Sequence, residues 1–544
     1  MSEKPGLTSR ASGMMPSWLK RHWGATAATV AILTAGIGFV TDVQSLIFGG
    51  ALSQAEASIL AENVAPRLES RSIARGGEYR QSTSLDDALS ALAQTGNRQD
   101  RRALAALEDG RTEDGLSELE QETDNLLRRD PEAAAIRFRQ IGIIAQTVDN
   151  TRAARLYEHA LELNPQDLRA MDLLGELELN RGNADAAQSL HERALSLARQ
   201  NGDEAEEAAA LSGLGSVAWS RENLDSADAY YAQALEVSDM IGDLTRSARQ
   251  LGNRGLIAEA RGDSESAEQY YSRALALMQS SGDVFGEALA RNNLGNIARV
   301  RGEFDEAEDN YRLALSSLEN ADRHAHSALV IANLGRVAEG RGDRQAAERF
   351  YERALTRARE YQYVRVIEST ARQAGWLRVH ASDGAGAVAY ADEALSATAL
   401  MGDTASEADS LILGVAAYDL TGQFEIVDDY ASRALAIVEA RESVSPDVPG
   451  YLHGALALVR YREGNLDAAE THTRQAQEFY SRTSEFDQMG LHASRMATIL
   501  EDRGDAVTAC THLGDAIAWY VMATNDTDAE AMRNRQATLR CRQN

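Results

Sequence analysis

NNLGNIARVRGEFDEAEDNYRLAL, residues 292–315, decides the fold. Its second half sets Ala307, Tyr311 and Ala314 at spacings of four and three, which share one face of a helix. Gly302, twelve residues before Ala314, suits a turn, and Gly295, nineteen before it, is small enough to let a second helix approach. The same spacing runs outward in both directions. The closing alanine recurs at 160, 194, 234, 274, 314, 354, 394, 434, 476 and 516, at intervals of 34, then six of 40, then 42 and 40. Three residues earlier stand Tyr157, His191, Tyr231, Tyr271, Tyr311 and Tyr351, but Ala391, Ala431, Thr473 and Leu513 in the last four units, whose packing is therefore expected to diverge. Each unit reads as helix A, tight turn, helix B. Between units, Gly-Asp pairs at 202–203, 242–243, 282–283 and 402–403 join a helix-ending glycine to an N-capping aspartate. No proline falls between Gln166 and Ser445, in keeping with an all-helical array.

The pattern resembles the tetratricopeptide repeat (TPR) family over roughly 410 residues. RQIGIIAQTVDNTRAARLYEHALELNP, residues 139–165, has the 34-residue form with its closing Pro165, and the later units are similar to the longer variety of kinesin light chains and bacterial peptide-sensing regulators. The resemblance implies an all-α, right-handed superhelix of about ten helix-turn-helix repeats. It also implies a concave groove, lined by A helices, for an extended peptide or partner protein. In this family an Asn two residues before the small glycine often contacts a bound peptide backbone. Those positions are Asn253, Asn293 and Asn333, with Asn292, Asn296 and Arg336 beside them. An amide carries both a donor and an acceptor, so it can pair with a peptide bond whatever the side chain, or equally bridge neighbouring A helices. Trp219 and Trp376 share the groove-facing register, with core packing as the alternative. Arg181, Arg221, Arg261, Arg301 and Arg341 precede the A-to-B turns, where cations suit a helix C-terminus and acidic neighbours surround them.

Outside the array, residues 23–41 (WGATAATVAILTAGIGFVT) carry no charge, close to the length needed to cross a bilayer. Lys4, Arg10, Lys20 and Arg21 precede them and no Lys or Arg follows before Arg67, so the flank rule predicts a single-pass membrane protein with the bulk of the chain periplasmic or extracytoplasmic. A cleaved signal peptide is the alternative. The expected organisation is a cytoplasmic tail at 1–22, the transmembrane anchor at 23–41, juxtamembrane helices and linker at 42–100, a degenerate repeat at 101–131, the TPR solenoid at 132–523 and a C-terminal capping helix at 524–544.

With 83 Asp and Glu against 55 Lys and Arg, the net charge of −28 repels phosphate backbones, so nucleic acid is not an expected partner. The ten histidines form no HExxH pair, and the nearest couple, His324 and His326, falls between repeats. No phosphate-binding loop, nucleophile elbow or dinucleotide fingerprint occurs; no enzyme activity, metal or cofactor is expected. A membrane-anchored interaction scaffold, a sensor whose groove closes on a ligand, and an assembly factor for envelope polymer or secretion machinery are the functions in view, and the oligomeric state stays open. The two cysteines, Cys510 and Cys541, lie at matching depths of a helix pair folded about Asn525-Asp526. They are a candidate disulfide, with two unrelated thiols as the alternative.

Overall fold

The computed structural model describes residues 82–541 apart from 96, 322, 402, 441–446 and 484. The described residues form helices throughout, in two compact units that divide at Pro165 and Gln166. The first unit holds α1 (Ser82–Gln94), α2 (Arg98–Glu108), α3 (Thr112–Leu127), α4 (Pro131–Ala145) and α5 (Asn150–Leu163). Pro131 opens α4 at the position where a missing N–H costs nothing, with Asp130 accepting from the Ala133 amide. Inside this unit Arg137 of α4 reaches Asp100 of α2 and donates to Thr123 of α3 at 2.8 Å, all three buried.

The second unit is a stack of nine A/B pairs: α6 (Leu168–Asn180) with α7 (Ala184–Asn201), α8 (Glu204–Ser220) with α9 (Leu224–Met240), α10 (Leu244–Ala260) with α11 (Ser264–Ser281), α12 (Val284–Val300) with α13 (Phe304–Asn320), α14 (His324–Gly340) with α15 (Arg344–Glu360), α16 (Val364–Val379) with α17 (Gly384–Met401), α18 (Thr404–Leu420) with α19 (Phe424–Glu439), α20 (Asp447–Arg462) with α21 (Leu466–Tyr480), and α22 (Phe486–Asp502) with α23 (Ala506–Met522). A final helix, α24 (Asp526–Thr538), closes the array. Successive A helices approach one another more closely than successive B helices do, so within this unit the A helices line the inner face.

The repeated residues do the packing. Tyr271, Tyr311 and Tyr351 are fully buried, each laid edge-on over the glycine of its own A helix. A methyl group at Gly255, Gly295 or Gly335 would sit 2.5 to 2.7 Å from a tyrosine ring carbon, far inside van der Waals contact. In the later repeats only Gly375 keeps this register, and Val415, Ala457 and Ala497 take its place in the last three, so other glycines are covered. Leu413 covers Gly375, Tyr430 covers Gly414, and Tyr480 and Tyr520, from the far ends of α21 and α23, cover Gly450 and Gly490. The A-to-B turns need one residue in the left-handed region, met by Gly302 at φ 78° but by Glu222 at φ 58° in the α8–α9 turn.

The turn arginines tie one repeat to the next. Arg261 reaches back 36 residues to Asp225 at 2.5 Å, and Arg301 reaches back 33 to Glu268 at 2.5 Å. Arg221 likewise clamps Asp185 and Gln188, Arg341 clamps Asp305 and Glu308, and Arg503 clamps Asp467 and Glu470. These arginines thus form ion pairs between their A helix and the preceding B helix, in keeping with the acidic neighbours seen in the sequence. Arg181 pairs with Glu178 of its own helix instead.

The expectation of a single-pass membrane protein with its bulk periplasmic or extracytoplasmic is corrected here. Among the described residues no helix is long and apolar enough to cross a membrane. Each buries a stripe of small and aliphatic residues against its neighbours and turns polar residues outward. The span expected at 23–41 lies outside the described residues, as does the segment expected to link it to the repeats as far as residue 81. At the other end, Asn525 caps α24 by accepting from the Asp528 amide, and the turn falls at Thr524, φ 59°. The last helix thus runs Asp526–Thr538, within the stretch 524–544 expected to cap the array.

Candidate inner-face interaction site

The register of the A helices sorts their side chains. On α10, Arg249, Asn253 and Leu256 face away from helix B; on α12 the same face carries Leu289, Asn293 and Asn296; on α14, Asn333 and Arg336; on α16, Arg372, Gln373 and Trp376. These columns repeat every 40 residues, so they lie side by side along the inner face.

Asn333, 2% exposed, donates from Nδ2 to Oδ1 of Asn292, 7% exposed, at 2.8 Å across the α12–α14 junction. Arg336 donates from Nη1 to Asn333 Oδ1 at 3.3 Å and from Nε to Gln373 Oε1 of α16 at 2.7 Å. Asn292, Asn333, Arg336 and Gln373 thus form a hydrogen-bonded ladder over three A helices. Two buried amides that satisfy each other stabilise the junction, because either alone leaves a desolvated polar group. Of the expected site residues, the ladder uses Asn292, Asn333 and Arg336. Asn296 accepts from the Tyr311 hydroxyl at 2.7 Å, and Asn293 accepts a long bond of 3.4 Å from Asn292. Asn253, two repeats before Asn333, is half-buried and has no side-chain hydrogen bond among the described residues.

Burial, then the neighbouring Arg299, lowers the pKa of Arg336. Burial likewise lowers that of Arg249, whose side chain is nevertheless solvent-exposed, with Arg246 adding to the effect. Gln373, Arg299 and Arg249 were not singled out from the sequence, although Gln373 sits in the Asn253–Asn293–Asn333 column and was readable there. Trp376 is half-buried and packs beside the core of α17 and α18, while Trp219 is 39% exposed at the end of α8.

The two cysteines are joined in the structure, Cα to Cα 5.6 Å, between α23 and the residue stretch after α24. Among the described residues no group of three or more His, Cys, Asp or Glu is placed to hold a metal ion.

Residues 169–400 match the model of the MalT-like TPR region, and that stretch is a TPR-type helical repeat array. No curated protein matches the chain. Among solved structures, the chain is similar to BtubC (BKLC) from P. vanneervenii at 24% identity, covering 42% of this chain and 90% of that one, TM-score 0.34. It is similar to the Rap protein complexed with competence and sporulation factor at 13% identity, covering 72% and 99%, TM-score 0.41. It is similar to yeast Tom70 at 14% identity, covering 81% and 97%, TM-score 0.36.

Proposed function

We propose that this chain is a non-catalytic scaffold that binds an extended segment of a partner protein or peptide along the A-helix face of α10 to α16. The observation that carries the reading is the uneven use of the amide column. Asn333 is consumed by the ladder, whereas Asn253 keeps its donor and acceptor free and Asn293, one repeat on, keeps its donor. Adjacent helix axes stand about 8 to 10 Å apart and an extended chain advances about 3.3 Å per residue, so each repeat meets roughly every third residue of a bound segment. A peptide bond presented there receives the bonds that water otherwise makes.

The test is retention of random ten-residue peptide pools on the immobilised full chain, repeated with Asn253→Ala/Asn293→Ala. Two ordinary hydrogen bonds lost should weaken binding by about 1 to 3 kcal/mol without moving the melting curve. Equal retention by parent and variant overturns the amide reading. A second reading, closure of the array around its ligand, is favoured by the arginine clamps, which run from Arg221 to Arg341 and are missing at Ala381 and Thr421.

A further inference from the structure

The last turn of the array is built from a residue that resists its shape. Five described turns from a B helix to the next A helix hold the residue eight positions after the closing alanine in the left-handed region: Gly202 at φ 69°, Gly242 at 71°, Gly282 at 74°, Gln362 at 52° and Thr524 at 59°. Glycine enters that region freely. Thr524 alone of the five is branched at Cβ, which makes the conformation costly.

The helix that this turn leads into is lightly held. α22, the A helix before it, buries seven residues, whereas α24 buries Ala529 alone. Met532 and Leu539 lie half-buried on Met496, Ala497, Leu500 and Leu513, and Arg535 pairs with Glu501 at 2.8 Å. Glu530, Arg533, Asn534 and Ala537, on the other side of α24, are exposed. The bond between Cys510 and Cys541 is therefore the strongest tie that keeps α24 on α22 and α23. Ala523, Thr524 and Asn525 join α23 to α24 without a glycine or a proline, so the two helices can run on as one. In that straight form Thr524 regains a helical φ, and α24 points away from its own molecule.

We propose that the apolar face of α22 and α23 is a docking surface for α24 of a second copy of this chain, and that the Cys510–Cys541 bond is the latch that keeps it shut. The contacts themselves name the occupant, because the segment that complements this face is the one already seated on it. Exchanged reciprocally between two copies, Ala529, Met532 and Leu539 cover the same surface in trans and Arg535 meets Glu501 again. Both Thr524 residues leave the left-handed region, and relief of a strained hinge is what favours such an exchange. A dithiol opens the latch. Its thiolate attacks one sulfur and forms a mixed disulfide, and the freed cysteine takes up a proton. The second thiol of the reagent then closes the reagent's own disulfide and releases the other cysteine. Two electrons and two protons pass to the protein, which ends with two thiols. This surface is independent of the peptide-binding face on α10 to α16.

The experiment uses the full chain over a wide range of concentrations, with and without dithiothreitol, its mass read by light scattering behind size exclusion. The oxidised protein should keep one mass throughout. After reduction a species of twice that mass should grow with concentration, and Cys510→Ser/Cys541→Ser should form it without reductant. Adding Thr524→Gly to that double variant relaxes the closed turn, leaves the docking face intact, and should lower the dimerisation constant at least about fivefold. Ala529→Asp, which puts a charge in the buried seat of α24, should abolish the dimer while the helical circular dichroism stays near that of the parent. Exchange is read directly by mixing unlabelled and heavy-isotope-labelled chains, reducing, reoxidising and digesting them. A Cys510–Cys541 bond that joins a light to a heavy peptide places α24 on the other copy. Reduced protein that keeps its mass at every concentration overturns the proposal. So does a dimer whose bonds join only light to light and heavy to heavy, one that survives Ala529→Asp, or one indifferent to Thr524→Gly.

Discussion

Two glycines on the same kind of helix should respond to alanine in opposite directions. Gly335 lies in the middle of α14 and Gly252 in the middle of α10. Alanine gains about 1 kcal/mol over glycine in a helix interior, a term common to both sites. The surroundings differ. At Gly335 the added Cβ meets Tyr351 at 2.5, 2.7 and 3.2 Å, whereas at Gly252 nothing lies within 4 Å. Tyr351 cannot swing aside, being fully buried with its hydroxyl bound to Glu339. Relief requires α14 and α15 to part by nearly an ångström, and overpacking of that kind costs about 1 to 3 kcal/mol. Taking the upper half of that range, Gly335→Ala should destabilise by about 1 to 2 kcal/mol net, and Gly252→Ala should stabilise by up to about 1 kcal/mol. A stacked array does not unfold in one step, so the measurement is native-state hydrogen exchange of the full chain. Protection should fall in α14, α15 and their neighbours for the first variant and rise around α10 for the second. Equal and same-signed changes at both sites would refute the reasoning, because they would leave helix propensity as the only effect.

Asn333→Ala strands Asn292 Oδ1 in a buried junction and should loosen α12 and α14 by about 1 to 3 kcal/mol, read by local hydrogen exchange. Unchanged protection would mean the ladder carries no load. Acid should weaken the second unit: burial holds His326 and His453 down at about 4 and His492 at about 3, from an ordinary 6.5. Their stabilisation is complete above about pH 6.5. As pH falls toward 4 the unfolded chain takes up protons that the fold refuses, at up to about 1.4 kcal/mol per pH unit for each histidine. A melting curve flat between pH 6.5 and 4.5 would contradict that sign. Protein purified without reductant should show neither Cys510 nor Cys541 alkylated, and reduction should speed exchange in α24 alone, the 31-residue closure being worth roughly 3 to 4 kcal/mol. Two freely alkylated cysteines would remove the bond.

The repeat register was legible because it is written in residue size: a glycine, a tyrosine and two alanines at fixed spacing can only be stacked helix pairs. Where Thr473 and Leu513 replaced the ring, the sequence suggested divergent packing, and Tyr480 and Tyr520 indeed pack elsewhere, over Gly450 and Gly490, seven residues before the position the earlier tyrosines cover. Single-column reading misses a ring that arrives from another column. The amide column was legible too, but which amides are consumed was not. Asn333 bonds Asn292 and not its column-mate Asn293, an offset set by how α12 and α14 cross.

The arginine clamps bear on how such a chain tolerates insertion and deletion. The clamping arginines find their partners 33 or 36 residues upstream, so one residue gained or lost anywhere between them would carry the guanidinium off its targets by about 100° of helix rotation. A clamp therefore holds the length of the chain it spans. The long interval, 42 residues from Ala434 to Ala476, falls in a repeat with Glu463 at the clamp position, where Arg460 reaches back to Asp428 at 2.6 Å instead, a spacing of 32. Up to Arg341, where clamps follow one another without a gap from Arg221, the interval stays at 40. Longer or shorter variants of this array should differ by whole repeats through the clamped stretch, and by single residues only beyond it.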